Sequence, residues 1–236
     1  MIKGILFDFN GTLFYDSDKH IIAVQEFFLR RGLPAPSADD IVLNMFGKTN
    51  RTIFKDRYKK DATDAEIEAY GGEKEALYRE ACLNSPETFH LIDGAVEFLG
   101  YLKEHSIPYN LATGSPLDNV KFYFEHMGLG EWFSIDRVVY DDGSRPGKPA
   151  PDMYIEAARR IGLSPEECIV FEDAANGIIS AISARAGAVY AVLSDELVSP
   201  IFNGISVDGE IRDFKNYKEI LDRYEIIGKD DYNVRR

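Results

Sequence analysis

Short apolar runs that stop abruptly at acidic or hydroxyl residues, separated by segments of helical periodicity, constrain this chain more than any other feature. Ile2 to Phe7 is such a run, ended by Asp8 and a glycine turn, and it reads as a buried strand. Pro108 to Thr113, Cys168 to Glu172 and Ala188 to Leu193 have the same form, with Arg137 to Tyr140 a weaker fifth. Between them lie helical patterns over Ala95 to His105, Pro116 to Met127, Asp152 to Ile161 and Ala175 to Ala186. Strand and helix in alternation predict an α/β architecture, a mostly parallel sheet covered on both faces.

The stretch from about Phe14 to His90 breaks that rhythm with helical patterns and no convincing strand, so an inserted helical domain is expected there. His20 to Arg31 is amphipathic and stops at Gly32, while Ser37 with Asp40 and Thr63 with Glu66 have capping-box spacing at two helix starts. From about Ser199 the chain turns polar and irregular, which predicts a last edge strand near Gly204 to Val207, a helix and a loose tail.

A length of 236 residues accommodates a core domain plus a smaller insertion. The formal net charge of -13 argues against a nucleic-acid partner, because phosphate backbones are gripped by clustered Lys and Arg and no such stripe occurs. A single small phosphate needs only a few local donors, whatever the global charge. Cys82 and Cys168 stand far apart without metal-ligand spacing, so neither a disulfide framework nor a zinc site is indicated, and cytoplasmic residence is expected. The apolar run after Met1 is too short for a signal peptide, no window reaches membrane-spanning length, and no exposed apolar stripe argues against a monomer.

Three strands end in polar residues: Asp8-Phe9-Asn10-Gly11-Thr12, then Thr113-Gly114-Ser115, then Glu172-Asp173. Ligand crevices of open parallel sheets lie outside the carboxyl ends of the strands, so these sets are expected to converge. Asp8, Glu172 and Asp173 are hard oxygen ligands suited to magnesium (Mg2+). Lys148, in Gly147-Lys148-Pro149, sits where prolines pin the backbone and aim one ammonium at a fixed point. The aromatic residues Phe27, Phe28, Tyr101, Phe122, Tyr123 and Phe133 read as core, and Trp132 as a packing anchor.

On these residues the chain resembles the haloacid dehalogenase-like (HAD) superfamily of phosphotransferases, in the subfamily with a helical cap inserted after the first motif. The four motifs are similar to Asp8-Phe9-Asn10-Gly11-Thr12-Leu13, Thr113, Lys148 within Gly147 to Asp152, and Glu172-Asp173 followed by Gly177. The resemblance implies a Rossmann-like three-layer parallel-sheet core at 1–14 and 91–236, and an α-helical cap at 15–90. It implies that Asp8 attacks phosphorus to form an aspartyl-phosphate. The phosphoryl oxygens would be met by Mg2+, Lys148, Thr113 and Ser115, and by the N–H groups of Phe9, Asn10 and Gly114. The metal would sit on the Asp8 side chain, the Asn10 carbonyl and Asp173, supported by Glu172.

Asn10 departs from the family pattern, which carries a second aspartate there as general acid and base. An amide exchanges no proton, and proton transfer contributes about 10²- to 10⁴-fold. Three readings stay open: His20 near the hinge substitutes as proton exchanger, the leaving group is acidic enough to depart unprotonated, as from an acyl phosphate, or the chain is a binding protein or an engineered trap. Within the cap, Gly47, Lys48, Asn50, Arg51 and Lys74 are the candidates for substrate recognition, and cap closure would exclude water. The first expectation is an Mg2+-dependent phosphatase acting on a small phosphorylated metabolite. A β-phosphoglucomutase-like isomerase and a non-catalytic phosphometabolite sensor are the alternatives.

Overall fold

The structure, a computed structural model, describes residues 1–46, 50–193 and 204–226. Among these, strands β1 (Gly4–Phe7), β2 (Tyr109–Pro116), β3 (Val139–Asp141), β4 (Cys168–Glu172), β5 (Ala188–Val192) and β6 (Gly209–Ile211) form one sheet in the order β3-β2-β1-β4-β5-β6. Every pairing is parallel. The order reverses direction between β1 and β4, which places the sheet's switch point beside their carboxyl ends.

Every residue of β1, β4 and β5 is buried, so these strands carry apolar side chains on both faces instead of alternating. Phe7 points to one face, where it stacks on Phe171 at 5.5 Å and meets Phe98 and Phe214 edge-on. Phe98 belongs to helix α5 (Ala95–Glu104) and stacks at 4.8 Å on Tyr217 of the C-terminal helix (Tyr217–Arg223), which covers the same face. Leu6 points the other way, into a cluster with Met153, Tyr154, Ala157 and Ala158 of α7 (Asp152–Arg160) and with Ile178 and Ala181 of α8 (Ala175–Ser183). Helix, sheet and helix make three layers, the covered parallel sheet expected from the alternation and the Rossmann-like α/β core that the resemblance implies.

The edge strand forms five residues later than the sequence suggested, at Gly209–Ile211 instead of near Gly204 to Val207. The register is set by Asp208: its N–H donates to the Val189 carbonyl at 2.8 Å and its carboxylate accepts from the Val189 N–H at 2.8 Å. Immediately after it, the Tyr190 ring lies against Gly209, where a Cβ would overlap it. Polarity alone does not reveal that anchor.

Two compact units divide the chain: Met1–Tyr15 with His90–Arg236, and Asp16–Phe89. Tyr15 falls with the sheet unit, its hydroxyl bonded to the Arg212 carbonyl. The second unit is helical among its described residues: α1 (Ser17–Leu29), α2 (Ala38–Asn44), α3 (Asn50–Arg57) and α4 (Asp64–Leu83). Its centre is aromatic, with Phe27 4.8 Å from Phe54 and ringed by Tyr58 and Tyr70. Ser37 caps α2 by accepting from the Asp40 N–H at 3.1 Å. Thr63 and Glu66 cap α4 reciprocally, at 3.3 and 2.9 Å, as their spacing indicated. Helix α1 begins at Ser17, three residues before the amphipathic stretch read from the sequence.

Candidate active site

The turn after β1 is tied by one carbonyl. Phe9 O accepts from the N–H groups of Thr12, Leu13 and Phe14 at 3.2, 2.9 and 3.1 Å, which folds the chain back directly beyond Asp8. Gly11 permits this at φ +78°, and a Cβ there would run into the Asp173 carboxylate. The Asp8 N–H donates to the Phe171 carbonyl at 3.0 Å, which extends the β1–β4 ladder and brings Asp8 beside Glu172.

Asp8, Glu172 and Asp173 each offer a carboxylate oxygen within 4.8 Å of the others, and Asp8 and Glu172 are buried. Such a group demands positive charge. Lys148 supplies part of it, its Nζ lying 2.6 Å from Asp8 Oδ1, 2.6 Å from Glu172 Oε1 and 3.1 Å from the Ala112 carbonyl. Burial opposes the ammonium charge, but the Asp8 and Glu172 carboxylates outweigh it and hold Lys148 above the usual lysine range. Glu172 is fixed further by the Tyr154 hydroxyl, which donates at 3.0 Å, and by the Ala174 N–H at 3.0 Å. Gly177 lets this carboxylate approach α8, since a Cβ there would overlap it. Burial, and then the negative charge of Glu172, pushes the Tyr154 hydroxyl well above the ordinary tyrosine value, so it stays a donor.

Beside this acidic group lies a floor of hydroxyls around Asn10. The Asn10 Nδ2 donates to Tyr123 Oη at 2.9 Å, while its Oδ1 accepts from Ser115 Oγ at 2.7 Å and Thr113 Oγ1 at 3.3 Å. Thr113 also accepts from the Ser115 N–H at 3.1 Å, and Gly114 between them is exposed. The Tyr123 ring packs 4.4 Å from that of Phe9, so one residue of α6 (Leu117–His126) props both the turn and its amide. Thr12 Oγ1 is buried without a protein partner among the described residues.

Asp8, Phe9, Asn10, Thr113, Gly114, Ser115, Lys148, Glu172 and Asp173 therefore meet at the carboxyl ends of β1, β2 and β4. The remaining sequence candidates belong to the other unit. There His20 stacks on Tyr78 at 4.2 Å and turns Nε2 to Asp16, 3.3 Å away, which also accepts from Tyr78 Oη at 2.5 Å. Arg51 pairs with Asp64 at 2.7 Å on the surface. Lys74 is not a surface cation: it is largely buried against Glu75 at 2.6 Å, and Asn50 reaches the same Glu75 oxygen at 3.4 Å. Gly47 and Lys48 lie outside the described residues.

Tyr123 and Tyr154 were missed as site residues. Tyr123 reads as core from its helical position, and its ring is fully buried, but its hydroxyl serves Asn10. Tyr154 lies only six positions beyond Lys148, and a buried tyrosine hydroxyl requires a polar partner. That requirement is the one signal available in advance. Both cysteines are free and buried, and burial pushes each thiol up to about 12, so neither competes as a nucleophile. Among the described residues no helix is long and apolar enough to cross a membrane.

Comparison with known proteins adds to this geometry. The sequence model of a family described as haloacid dehalogenase-like hydrolase matches residues 2–185. The fructose-1-phosphate phosphatase YqaB of Escherichia coli (strain K12) is 32% identical over 186 residues, 79% of this chain and 94% of that one. The validoxylamine A 7'-phosphate phosphatase of Streptomyces hygroscopicus subsp. limoneus is 32% identical over 188 residues, 77% of this chain and 81% of that one. A crystal structure of a HAD hydrolase, family IA, variant 3, from Entamoeba histolytica superposes with a TM-score of 0.85 at 35% identity, covering 95% of this chain and all of that one.

Proposed function

Because the chain belongs to the haloacid dehalogenase-like hydrolase family, we propose that it is a phosphatase of a small phosphorylated metabolite, working through an aspartyl-phosphate on Asp8. The observation that carries this reading is the placement of Lys148 Nζ 2.6 Å from Asp8 Oδ1 within a triad of carboxylates. A carboxylate held at a strand tip beside a fixed ammonium suits attack on phosphorus, because the ammonium offsets the repulsion between the nucleophile and the phosphoryl oxygens. Thr113, Ser115 and the N–H groups of Phe9, Asn10 and Gly114 form the polar surface against which those oxygens would rest. The two named relatives act, by their names, on fructose-1-phosphate and on validoxylamine A 7'-phosphate, which supports a small phosphorylated substrate.

Three hard carboxylate oxygens grouped without nitrogen or sulfur donors fit magnesium better than a softer ion. The residues that would hold it are Asp8, Asp173 and Glu172, with the Asn10 main-chain carbonyl. When bound, it supplies charge neutralisation at the phosphoryl group. The recognition roles expected of Asn50, Arg51 and Lys74 belong to this proposal as well, and single substitutions read them one at a time.

The test is a panel of sugar, aryl and acyl phosphates with magnesium, read as released phosphate. Wild type turns over at least one member and Asp8→Ala loses that activity by more than about 10³-fold, the scale expected when a nucleophile is removed. Equal activity in Asp8→Ala would defeat the proposal.

A further inference from the structure

We propose that this site favours phosphoryl donors whose leaving group departs as a weak base without receiving a proton, a carboxylic–phosphoric mixed anhydride (acyl phosphate) foremost, over alkyl phosphate esters. The inference rests on the phosphoryl-transfer reading above and names the substrate class for it. Its basis is the chemistry of the groups around position 10. An alkoxide is a strong base, so its departure demands a donor within hydrogen-bond reach; a carboxylate demands none.

The side chains that build the floor are an amide and three hydroxyls. The amide nitrogen of Asn10 is turned to Tyr123 at 2.9 Å, and its oxygen accepts from Ser115 at 2.7 Å and Thr113 at 3.3 Å. Amide and hydroxyl groups hydrogen-bond well and exchange protons poorly at neutral pH. The cluster holds Asn10 in one orientation from both ends, and Tyr123 is itself buried, with its ring against Phe9. Of the ionisable groups, Asp8 is the nucleophile, Lys148 spans Asp8 and Glu172 at 2.6 Å each, Glu172 is also tied to Tyr154, and Asp173 completes the carboxylate triad assigned above to the metal. Among the described residues of the sheet unit, none of the polar side chains on this floor is an uncommitted acid. His20 belongs to the other unit, where its Nε2 is turned to Asp16.

The steps balance without an internal acid. The Asp8 carboxylate oxygen bonds to phosphorus as the bond from phosphorus to the acyl oxygen breaks, and that electron pair leaves on the released carboxylate. Water then bonds to phosphorus, the bond from phosphorus to Asp8 oxygen breaks, and its pair returns to the Asp8 carboxylate while the water proton passes to solvent. The second leaving group is again a carboxylate, so neither half-reaction produces an alkoxide.

The experiment measures kcat/KM, which reports every step through leaving-group departure, for acetyl phosphate, 4-nitrophenyl phosphate, phenyl phosphate and a hexose phosphate. Wild type, Asn10→Asp, His20→Ala and Tyr123→Phe are compared with magnesium present and spontaneous acetyl phosphate hydrolysis subtracted. Asn10→Asp is expected to raise the ratio of kcat/KM for the hexose phosphate to that for acetyl phosphate by about 10²- to 10⁴-fold. Tyr123→Phe is expected to lower both substrates together, because it loosens the floor without adding an acid. An Asn10→Asp effect of equal size on both substrates overturns the inference. So does a wild-type preference for hexose phosphate that His20→Ala abolishes, since that would identify a proton donor. Wild type inert toward acetyl phosphate also overturns it; hydrolysis of hexose phosphate by Asn10→Asp in that case leaves the phosphoryl-transfer reading standing, and its absence removes both.

Discussion

Lys148 illustrates how one side chain can serve stability and chemistry at once. Its ammonium lies between two buried carboxylates, so removing it leaves like charges facing each other with no compensation. Breaking a buried pair by deleting one partner typically destabilises by about 3 to 5 kcal/mol. Lys148→Met is therefore expected to lower the thermal midpoint of the magnesium-free protein, read by differential scanning calorimetry, and to lose activity on any substrate the wild type cleaves. Added magnesium should recover part of the midpoint but not the activity, because an ion restores charge without restoring the donor at that position. Gly177 is the silent member of the same arrangement: its missing Cβ is what lets Glu172 lie against α8. Tyr154 shows the limit of reading single residues, since its hydroxyl bonds to Glu172 only because α7 packs back onto the sheet across β2 and β1.

At the scale of elements, α7 carries its own electrostatic brace. Glu156 is held down to about 2 by hydrogen bonds from Arg159 and then Arg160, one turn along the same helix. Its folded-state value lies below the ordinary carboxylate value, so the stabilisation is fully present above the ordinary value and fades as pH falls toward about 2. Glu156→Gln is expected to lower stability by about 0.5 to 1 kcal/mol at pH 7, as for surface helical pairs. The difference from wild type should shrink steadily below pH 4.5, which urea melts at a series of pH values would measure. A constant difference across that range would mean that Glu156 acts by packing. The brace matters to the site because α7 holds both Met153 in the core and Tyr154 against Glu172.

For the whole molecule, the parallel order with its reversal between β1 and β4 gathers the polar strand ends in one place. A ligand that binds only this gathered set stabilises the fold by mass action, about 2.7 kcal/mol at a hundredfold excess over its dissociation constant. Magnesium is expected to raise the thermal midpoint of wild type by several degrees, and Asp173→Asn to abolish most of that rise; sodium chloride at matched ionic strength serves as a control for general screening of the net charge of -13. An undiminished rise in Asp173→Asn would place the ion elsewhere. The alternation of apolar runs and helical stretches was sufficient, read alone, to predict the parallel sheet, its helices and the convergence of Asp8, Thr113, Glu172 and Asp173, while the family resemblance brought Lys148 to them. Those features are local in the chain: a strand ends where its apolar run ends, and a helix begins where Thr63 and Glu66 can close a capping box. Tertiary structure alone decided the remainder. The register of β6 at Asp208, the burial of Lys74 against Glu75 and the hold of Tyr123 on Asn10 each depend on a partner distant in sequence or on an environment made by packing. Side-chain period tells which face a residue occupies, but a hydroxyl or ammonium finds its partner only once the backbone has brought separate elements together, and that distance is written in no single segment.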